Sequence, residues 1–212
     1  MRLLLIRHGE TPSNVAGALD TGFPGPGLTE KGHRQARAVP GALAQARIDG
    51  LYASPLVRTQ LTADPLATQR DDAPQVLDGL EEIQAGDLEM RTDIDALRSY
   101  HASTTEWIRG DLSARMPGAE SGHEFMERYG SAVRRIAEAH GSDGTAAVFS
   151  HGSAIRLFTA IATGLDERRA GAMRLDNTGA SLLEGDPDEG WRLVRWVMTP
   201  LGESDIQADL AG

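Results

Sequence analysis

The first eleven residues, Met1–Thr11 (MRLLLIRHGET), contain the stretch that decides the fold. Leu3–Ile6 is an all-apolar run, too short to span a membrane, and such runs are typical of a strand buried on both faces of an α/β sheet. Arg7 and His8 follow directly, and Gly9 allows the chain to turn there. Because ligands of open α/β sheets bind just beyond the carboxyl ends of strands, a cation and an imidazole at this point indicate a functional site.

The same pattern occurs a second time near the other end of the chain. Ala146–Phe149 is another all-apolar run, and it leads into Ser150, His151 and Gly152. In a parallel sheet, two such strands end at the same edge. The sequence therefore predicts that His8 and His151 lie at one edge of an α/β sheet.

Composition restricts the class of protein. The chain has 212 residues, with 40% hydrophobic and 25% charged residues, which fits one globular domain over residues 1–212. A formal charge of -10 argues against nucleic acid as a partner. The absence of cysteine excludes disulfides, thiolate metal sites and a cysteine nucleophile. We find no apolar stretch of about 20 residues that would predict a membrane helix and no signal-peptide core, so we expect a cytoplasmic protein without a membrane partner.

Between the two histidine segments, the pattern predicts helices alternating with short strands. Thr29 is a helix cap with Glu30 in the first turn, and Pro40 is expected to kink or end that helix. Residues 49–53 indicate a strand. Ser54–Thr59 is then expected to open a helix with Pro55 in its first turn.

The second half of the chain contains two longer helices. Residues 70–90 lack clean periodicity and are predicted to be mostly loop, whereas residues 92–109 have helical spacing. Ser121–Glu124 is a capping-box pattern that opens the most clearly amphipathic helix. A helix at 153–163 and two final strands follow, and the last dozen residues are predicted to form a loose tail.

Six blocks of this sequence, in the right order, resemble the histidine phosphatase superfamily, which contains the cofactor-dependent phosphoglycerate mutases and many phosphatases. The blocks are Arg7–Thr11 with Asn14, Leu28–Thr29 with Gly32 and Gln35, Ser54–Thr59, Glu82–Glu89, Glu120–Ser121 and Ser150–Gly152. Asn177 and Thr178 resemble a later segment of the family. The resemblance implies a three-layer α/β sandwich, with a mixed, mostly parallel central sheet and helices on both faces.

The resemblance also implies a set of site residues. His8 would be the nucleophile that forms a phosphohistidine, and Glu82 would be the proton donor. Four further side chains would bind the phosphate of the substrate: Arg7, Asn14, Arg58 and His151. Arginines supply the positive charge that a metal would otherwise give, so no metal and no cofactor are expected. Residues 86–120 would form a cap that selects the substrate.

Some features leave alternatives open or depart from the family pattern. Glu81 competes with its neighbour Glu82 for the role of acid. Met90 stands where the family pattern has glycine, and residues 18–27 form a longer loop, which puts phosphate contacts at Thr21 and Gly22 in doubt. The other four histidines are interpreted as structural or solvent-facing: His33, His101, His123 and His140.

The resemblance is compatible with three functions: two kinds of enzyme and a binding protein without catalysis. We call Glu82–Glu89 (EIQAGDLE) the acid block, because it contains the predicted proton donor. A phosphomonoester hydrolase acting on a small phosphorylated metabolite is favoured, because this block looks like the phosphatase form of the family pattern. The alternative is a cofactor-dependent phosphoglycerate mutase, whose extra segments shield the phosphohistidine from water. A phosphate-binding protein without catalysis is disfavoured, because the chain has all of the family's core site residues. These are Arg7, His8, Arg58, Glu82 and His151. A homodimer is left open.

Overall fold

A computed structural model describes residues 1–203, 206 and 209 of the chain. The strands are β1 (Arg2–Arg7), β2 (Gly50–Ala53), β3 (Gln75–Val76), β4 (Thr145–Ser150), β5 (Ala180–Asp186) and β6 (Gly190–Val197). The helices are α1 (Pro12–Ala16), α2 (Glu30–Ala42), α3 (Val57–Arg70), α4 (Ile94–Ile108), α5 (Gly122–His140), α6 (Gly152–Ala162) and α7 (Glu167–Ala172). Short 3₁₀ turns occupy Gly86–Leu88 and Leu201–Glu203.

The six strands form one mixed sheet in the order β3-β2-β4-β1-β5-β6. Strands β3, β2, β4 and β1 are parallel, whereas β5 runs antiparallel to both of its neighbours. The two all-apolar runs predicted from the sequence lie side by side at the centre, with Leu3 opposite Ala146 and Ile6 opposite Phe149. The predicted mixed, mostly parallel sheet is therefore confirmed.

Alternate residues of β1 pack against different helices, which gives the three layers. Leu3 and Leu5 belong to an apolar core with residues of α4, α5 and α6. Leu4 and Ile6 belong to a second core with residues of α2 and α3. All four side chains are fully buried, so β1 holds both cores together.

The predicted helix caps at Thr29 and Ser121 are present, and Ser121 forms a complete capping box with Glu124. The expectation for Pro55 was wrong: α3 begins only at Val57, after an extended Leu56. The prediction that Pro40 kinks or ends α2 identified the right region, because the helix ends at Ala42, two residues later. Helices α1 and α7 were not predicted, since each is at most six residues long.

The prediction of a loose tail was wrong for the part of the tail that the structure describes. Leu201–Glu203 forms a turn that packs against α2, and Leu201 and Ile206 are fully buried in the core on that side of the sheet. The remaining tail residues, 204, 205, 207, 208 and 210–212, lie outside the described part of the chain. Among the described helices, none has the length and apolar character needed to cross a bilayer.

Candidate active site

The two strand-end histidines meet at one edge of the sheet. The register of β1 and β4 places Arg7 opposite Ser150, so His8 and His151 follow their strands at the same level. Their ring centroids are 5.3 Å apart, and both side chains are buried. Gly9 turns the chain away from the site: its N–H donates to Thr62 Oγ1 at 2.9 Å, and a Cβ on it would lie 2.8 Å from the carbonyl oxygen of Gly32.

His8 is held as a neutral imidazole with one free ring nitrogen. Its Nδ1 is 2.7 Å from the carbonyl oxygen of Gly9. Since a carbonyl only accepts hydrogen bonds, Nδ1 carries the proton, and Nε2 keeps its lone pair. Burial, with the adjacent charges of Arg58 and Arg7, holds the pKa of His8 well below its usual 6.5. At neutral pH the ring can act as a nucleophile.

Arg58, which is buried, and Arg7, which is partly buried, act on His8, and each has a buried nitrogen without a hydrogen-bond partner among the described residues. Arg7 donates from Nη1 to the carbonyl oxygen of Leu175 at 2.6 Å, but its Nε has no partner among the described residues. Arg58 donates from Nη2 to the carbonyl oxygen of Asp20 at 3.1 Å, and its Nη1 likewise has no hydrogen-bond partner, although Asp20 Oδ1 lies 3.9 Å away. Unpaired buried donors are costly, so their presence indicates a place for an acceptor-rich ligand.

His151 differs from His8 because both of its ring nitrogens are engaged. Nδ1 accepts from Arg58 Nε at 3.3 Å, so Nε2 carries the proton and donates to Ser54 Oγ at 2.7 Å. Burial and Arg58 hold the pKa of His151 well below its usual value. A direct contact between this ring and a ligand would require one of the two bonds to be exchanged.

Asn14 faces the same edge from α1. Its side-chain oxygen accepts from Asn177 Nδ2 at 3.0 Å, and Asn177 also donates to the carbonyl oxygen of His8 at 3.0 Å. The side-chain nitrogen of Asn14, Nδ2, makes no hydrogen bond to a described residue, so it is available as a neutral donor.

Glu82 lies at the N-terminus of α6, directly beyond His151 and Gly152. Its carboxylate accepts from the backbone N–H groups of Ile83, Ser153 and Ala154 at 2.8–3.1 Å. Glu81 points elsewhere: it accepts from the backbone N–H of Gly79 and lies 3.7 Å from Arg128 Nη1. Of the two neighbouring acids, Glu82 is the one beside the second histidine segment.

Comparison with known proteins identifies the family. A model of the histidine phosphatase superfamily (branch 1) matches residues 3–199. The chain belongs to this superfamily. Among the described residues of this superfamily member, no group of three or more histidine, aspartate and glutamate side chains is arranged to hold a metal ion.

Individual histidine phosphatase relatives cover different shares of their own length. The chain is 36% identical over 220 residues to PE-PGRS family protein PE_PGRS11 of Mycobacterium tuberculosis, which covers 97% of this chain but only 38% of that protein. It is 35% identical over 136 residues to adenosylcobalamin/alpha-ribazole phosphatase of Salmonella typhimurium, covering 64% of this chain and 67% of that protein. The solved alpha-ribazole phosphatase of Shigella flexneri superposes with a TM-score of 0.73 at 27% identity, over 94% of this chain and 97% of that one.

These similarities confirm three of the predictions made from sequence. The superfamily model confirms the resemblance, and the solved relative confirms the phosphoglycerate mutase-like fold. Together with relatives named as phosphatases, they confirm the predicted class of enzyme, a phosphoric monoester hydrolase that acts on a small phosphorylated metabolite.

Glu120, which the sequence analysis quoted as part of a family block, belongs to a supporting layer of this histidine phosphatase site, and its partner Arg128 was not predicted. Glu120 accepts two hydrogen bonds from Arg128, and Arg128 also donates to the carbonyl oxygens of Glu81 and Glu82. This pair, of buried Glu120 and half-buried Arg128, therefore fixes the backbone that carries Glu82. The signal for it was the spacing of eight residues from Glu120 to Arg128, which places the arginine two turns along α5.

Glu89, the last residue of the acid block, forms hydrogen bonds with the loop that follows α1. Glu89 accepts from the backbone N–H groups of Thr21 and Gly22 and from the hydroxyl of Thr21. These two backbone donors therefore already have a carboxylate partner. The doubt about Thr21 and Gly22 as phosphate contacts is consistent with this arrangement.

Proposed function

We propose that this chain hydrolyses small phosphomonoesters in two steps, through a phosphohistidine formed at His8. One observation carries the proposal: the pKa of a buried histidine is held low by Arg58 and Arg7, and a buried nitrogen of each arginine, Nη1 of Arg58 and Nε of Arg7, has no hydrogen-bond partner among the described residues. A phosphoryl group offers an electrophilic phosphorus to the histidine and oxygen acceptors to the arginines.

In the first step, the lone pair of His8 Nε2 attacks phosphorus, and the bond between phosphorus and the ester oxygen breaks. Glu82 gives its proton to that leaving oxygen. In the second step, a water molecule attacks the phosphohistidine, Glu82 takes a proton from the water, and the nitrogen–phosphorus bond breaks. The histidine is regenerated and inorganic phosphate leaves.

The four binding residues hold the transferring group. Arg7 and Arg58 donate to its oxygens from the N–H groups that have no hydrogen-bond partner among the described residues. Asn14 donates from its free amide nitrogen, and a phosphoryl oxygen replaces one of the two protein partners of His151. Residues 86–120, which include α4, act as a cap over the site, within one domain that spans residues 1–212.

The test is to trap the phosphohistidine. Wild-type protein is mixed with a radiolabelled phosphomonoester and quenched in base, where phosphohistidine survives; label on the protein and release of phosphate are both measured. His8→Ala is expected to lose label and turnover together. His123→Ala serves as a matched control, because His123 is solvent-exposed at the start of α5. Normal turnover in His8→Ala would overturn the mechanism.

A second assay separates hydrolysis from the mutase reaction. The protein is offered 3-phosphoglycerate together with a bisphosphoglycerate primer, and both inorganic phosphate and 2-phosphoglycerate are measured. Release of phosphate without isomerisation is expected. Formation of 2-phosphoglycerate as the main product would favour the mutase.

The cytoplasmic location and the homodimer stay predictions. Cell fractionation tests the location, and size-exclusion chromatography with light scattering tests the oligomeric state.

A further inference from the structure

A cleft beside the phosphoryl site contains charge that the proposed chemistry does not use. Its volume is about 310 Å³, and it is lined by Arg7, Glu82, His101, Ser153 and Arg156, together with residues 173–176. Arg7 and Glu82 belong to the reaction. Arg156 and His101 have no part in it, although both line the same space.

Arg156 is a half-buried cation on α6. Its side chain makes no hydrogen bond and no ion pair with any described residue, whereas Arg128 on the neighbouring α5 binds both a carboxylate and three carbonyl groups. Burial lowers the pKa of Arg156, but arginine stays charged at neutral pH. Five N–H donors are thus presented to the cleft and its solvent.

The position of Arg156 on α6 sets its distance from the phosphoryl site. Gly152, the first residue of α6, lies against Arg7: a Cβ on it would be 3.1 Å from Arg7 Nε. Arg156 comes four residues later, about 6 Å further along the helix axis. Ser153 is one turn earlier on the same face of α6. A ligand group bound by Arg156 would therefore be only a few bonds from the phosphoryl group.

The other charges around the cleft favour a group with a single negative charge. Glu82 and Asp176 also line the cleft, so a second phosphate dianion would face two carboxylates. Arg174 Nη2 lies 3.9 Å from Asp176 Oδ1, and its positive charge partly neutralises the two carboxylates. A carboxylate matches the planar guanidinium of Arg156 and can bind it through two parallel hydrogen bonds.

His101 completes the cleft from the predicted cap. It lies on α4, which packs against α6. Partial burial and the charge of Arg156 lower the pKa of His101, so at neutral pH it is an uncharged hydrogen-bonding group. It can orient a carboxylate without competing with the arginine for charge.

We infer that Arg156, assisted by His101, selects phosphomonoesters that carry a carboxylate a few bonds from the ester oxygen. The inference rests on the proposed function, because it assigns the substrate class of the same site. Arg156 acts as a specificity-determining residue, and the chemistry at His8 and Glu82 is unchanged.

The experiment compares two substrates that differ in one charge: 3-phosphooxypropionate and its neutral amide. For wild type we expect kcat/KM to be at least tenfold higher for the acid. In Arg156→Gln this ratio should fall to about one, and Arg156→Lys should recover part of it, since the charge remains without the planar fork. Arg37→Gln, which removes one exposed positive charge from α2, should keep the wild-type ratio. Thermal unfolding of each variant reports whether it is folded.

The outcomes distinguish this inference from the proposed function. If wild type hydrolyses both esters but shows no preference for the acid, or if Arg156→Gln keeps the preference, the inference is overturned and the proposed function stands. If wild type releases no phosphate from either ester or from p-nitrophenyl phosphate, the proposed function fails and the inference fails with it. A loss of preference in Arg37→Gln equal to that in Arg156→Gln would reduce the effect to net charge and would also overturn the inference.

Discussion

Replacing Arg58 by methionine removes a buried cation while keeping much of the side-chain volume. Arg58 is 2% exposed, and both N–H groups of its Nη1 lack a hydrogen-bond acceptor among the described residues, with Asp20 Oδ1 3.9 Å from the nitrogen. We assign these two N–H groups to the phosphoryl oxygens. A hydrogen bond to a charged group is worth about 1.5–3 kcal/mol, so losing two should cost about 3–6 kcal/mol of transition-state stabilisation. That range corresponds to a fall in kcat/KM of about 10²- to 10⁴-fold.

The assay is steady-state hydrolysis of p-nitrophenyl phosphate, with thermal unfolding recorded for each variant with and without inorganic phosphate. Arg58→Lys keeps the charge but not the fork of donors, so its loss should lie between wild type and Arg58→Met. Phosphate should raise the midpoint of unfolding of the wild type, because it binds only the native protein. In Arg58→Met this increase should shrink. Arg37→Met is the matched control at an exposed position of α2.

A folded Arg58→Met variant with kcat/KM within threefold of wild type would refute this reasoning. It would mean that Nη1 of Arg58 does not contact the phosphoryl group. An unchanged response to phosphate in the same variant would lead to the same conclusion by an assay that does not depend on turnover.

Three further predictions concern the same cluster. Glu82→Gln should slow an alkyl phosphate more than p-nitrophenyl phosphate in steady-state assays, because only the poorer leaving group needs the proton; equal losses would argue against the acid role. Gly25→Ala should lower kcat/KM by roughly tenfold or more, since Gly25 has a φ of +70° and a methyl group there would overlap Arg58 Nη1, whereas Gly130→Ala on α5 meets open space and should have no effect. The free energy of unfolding, measured by urea titration, should fall as pH drops below 6.5: both buried histidines have native pKa values well below 6.5, so only the unfolded chain binds protons there, at up to about 1.4 kcal/mol per pH unit for each. A flat dependence would contradict the neutral assignment.

The centre of the fold could be predicted because its signals are local. Leu3–Ile6 and Ala146–Phe149 are apolar at every position, and the structure places them side by side in the buried middle of the sheet. Caps such as Thr29 and Ser121 were recognisable because a cap depends on a side chain and a backbone N–H three residues apart. Signals of this kind do not require knowledge of what packs across the sheet.

The parts that could not be predicted depend on distant partners. Leu201 and Ile206 are too few apolar residues to give a pattern, and only their packing on the α2 side of the sheet orders that part of the tail. In the sequence, Arg156 cannot be distinguished from other arginines on amphipathic helices. Only the structure shows that His101 of α4 and residues 173–176 line a cleft together with it. Arg128 likewise gains its meaning from Glu120 and from the backbone of the acid block.

The backbone conformation at Met90 explains why the family pattern has glycine at this position. The pattern has glycine at this position, and the backbone of Met90 has a φ of +60°, in the left-handed region that favours glycine. The requirement at position 90 is therefore one of backbone conformation. Glu89, directly before it, still binds Thr21 and Gly22, so the substitution leaves the loop contact in place.

The arrangement separates the residues that perform the chemistry from those that select the substrate. His8 and His151 follow two adjacent central strands, and Arg58 is the second residue of α3, so the reacting cluster rests on elements packed on both sides. Arg156 lies on α6, about one helical turn after Gly152, and His101 lies on α4. A substitution at either position leaves the ends of the two strands unchanged. Variation at these two positions can therefore change which phosphate ester is accepted while the same histidine carries out the transfer, and this is the reason that the acid-to-amide ratio, rather than the absolute rate, is the informative measurement for Arg156.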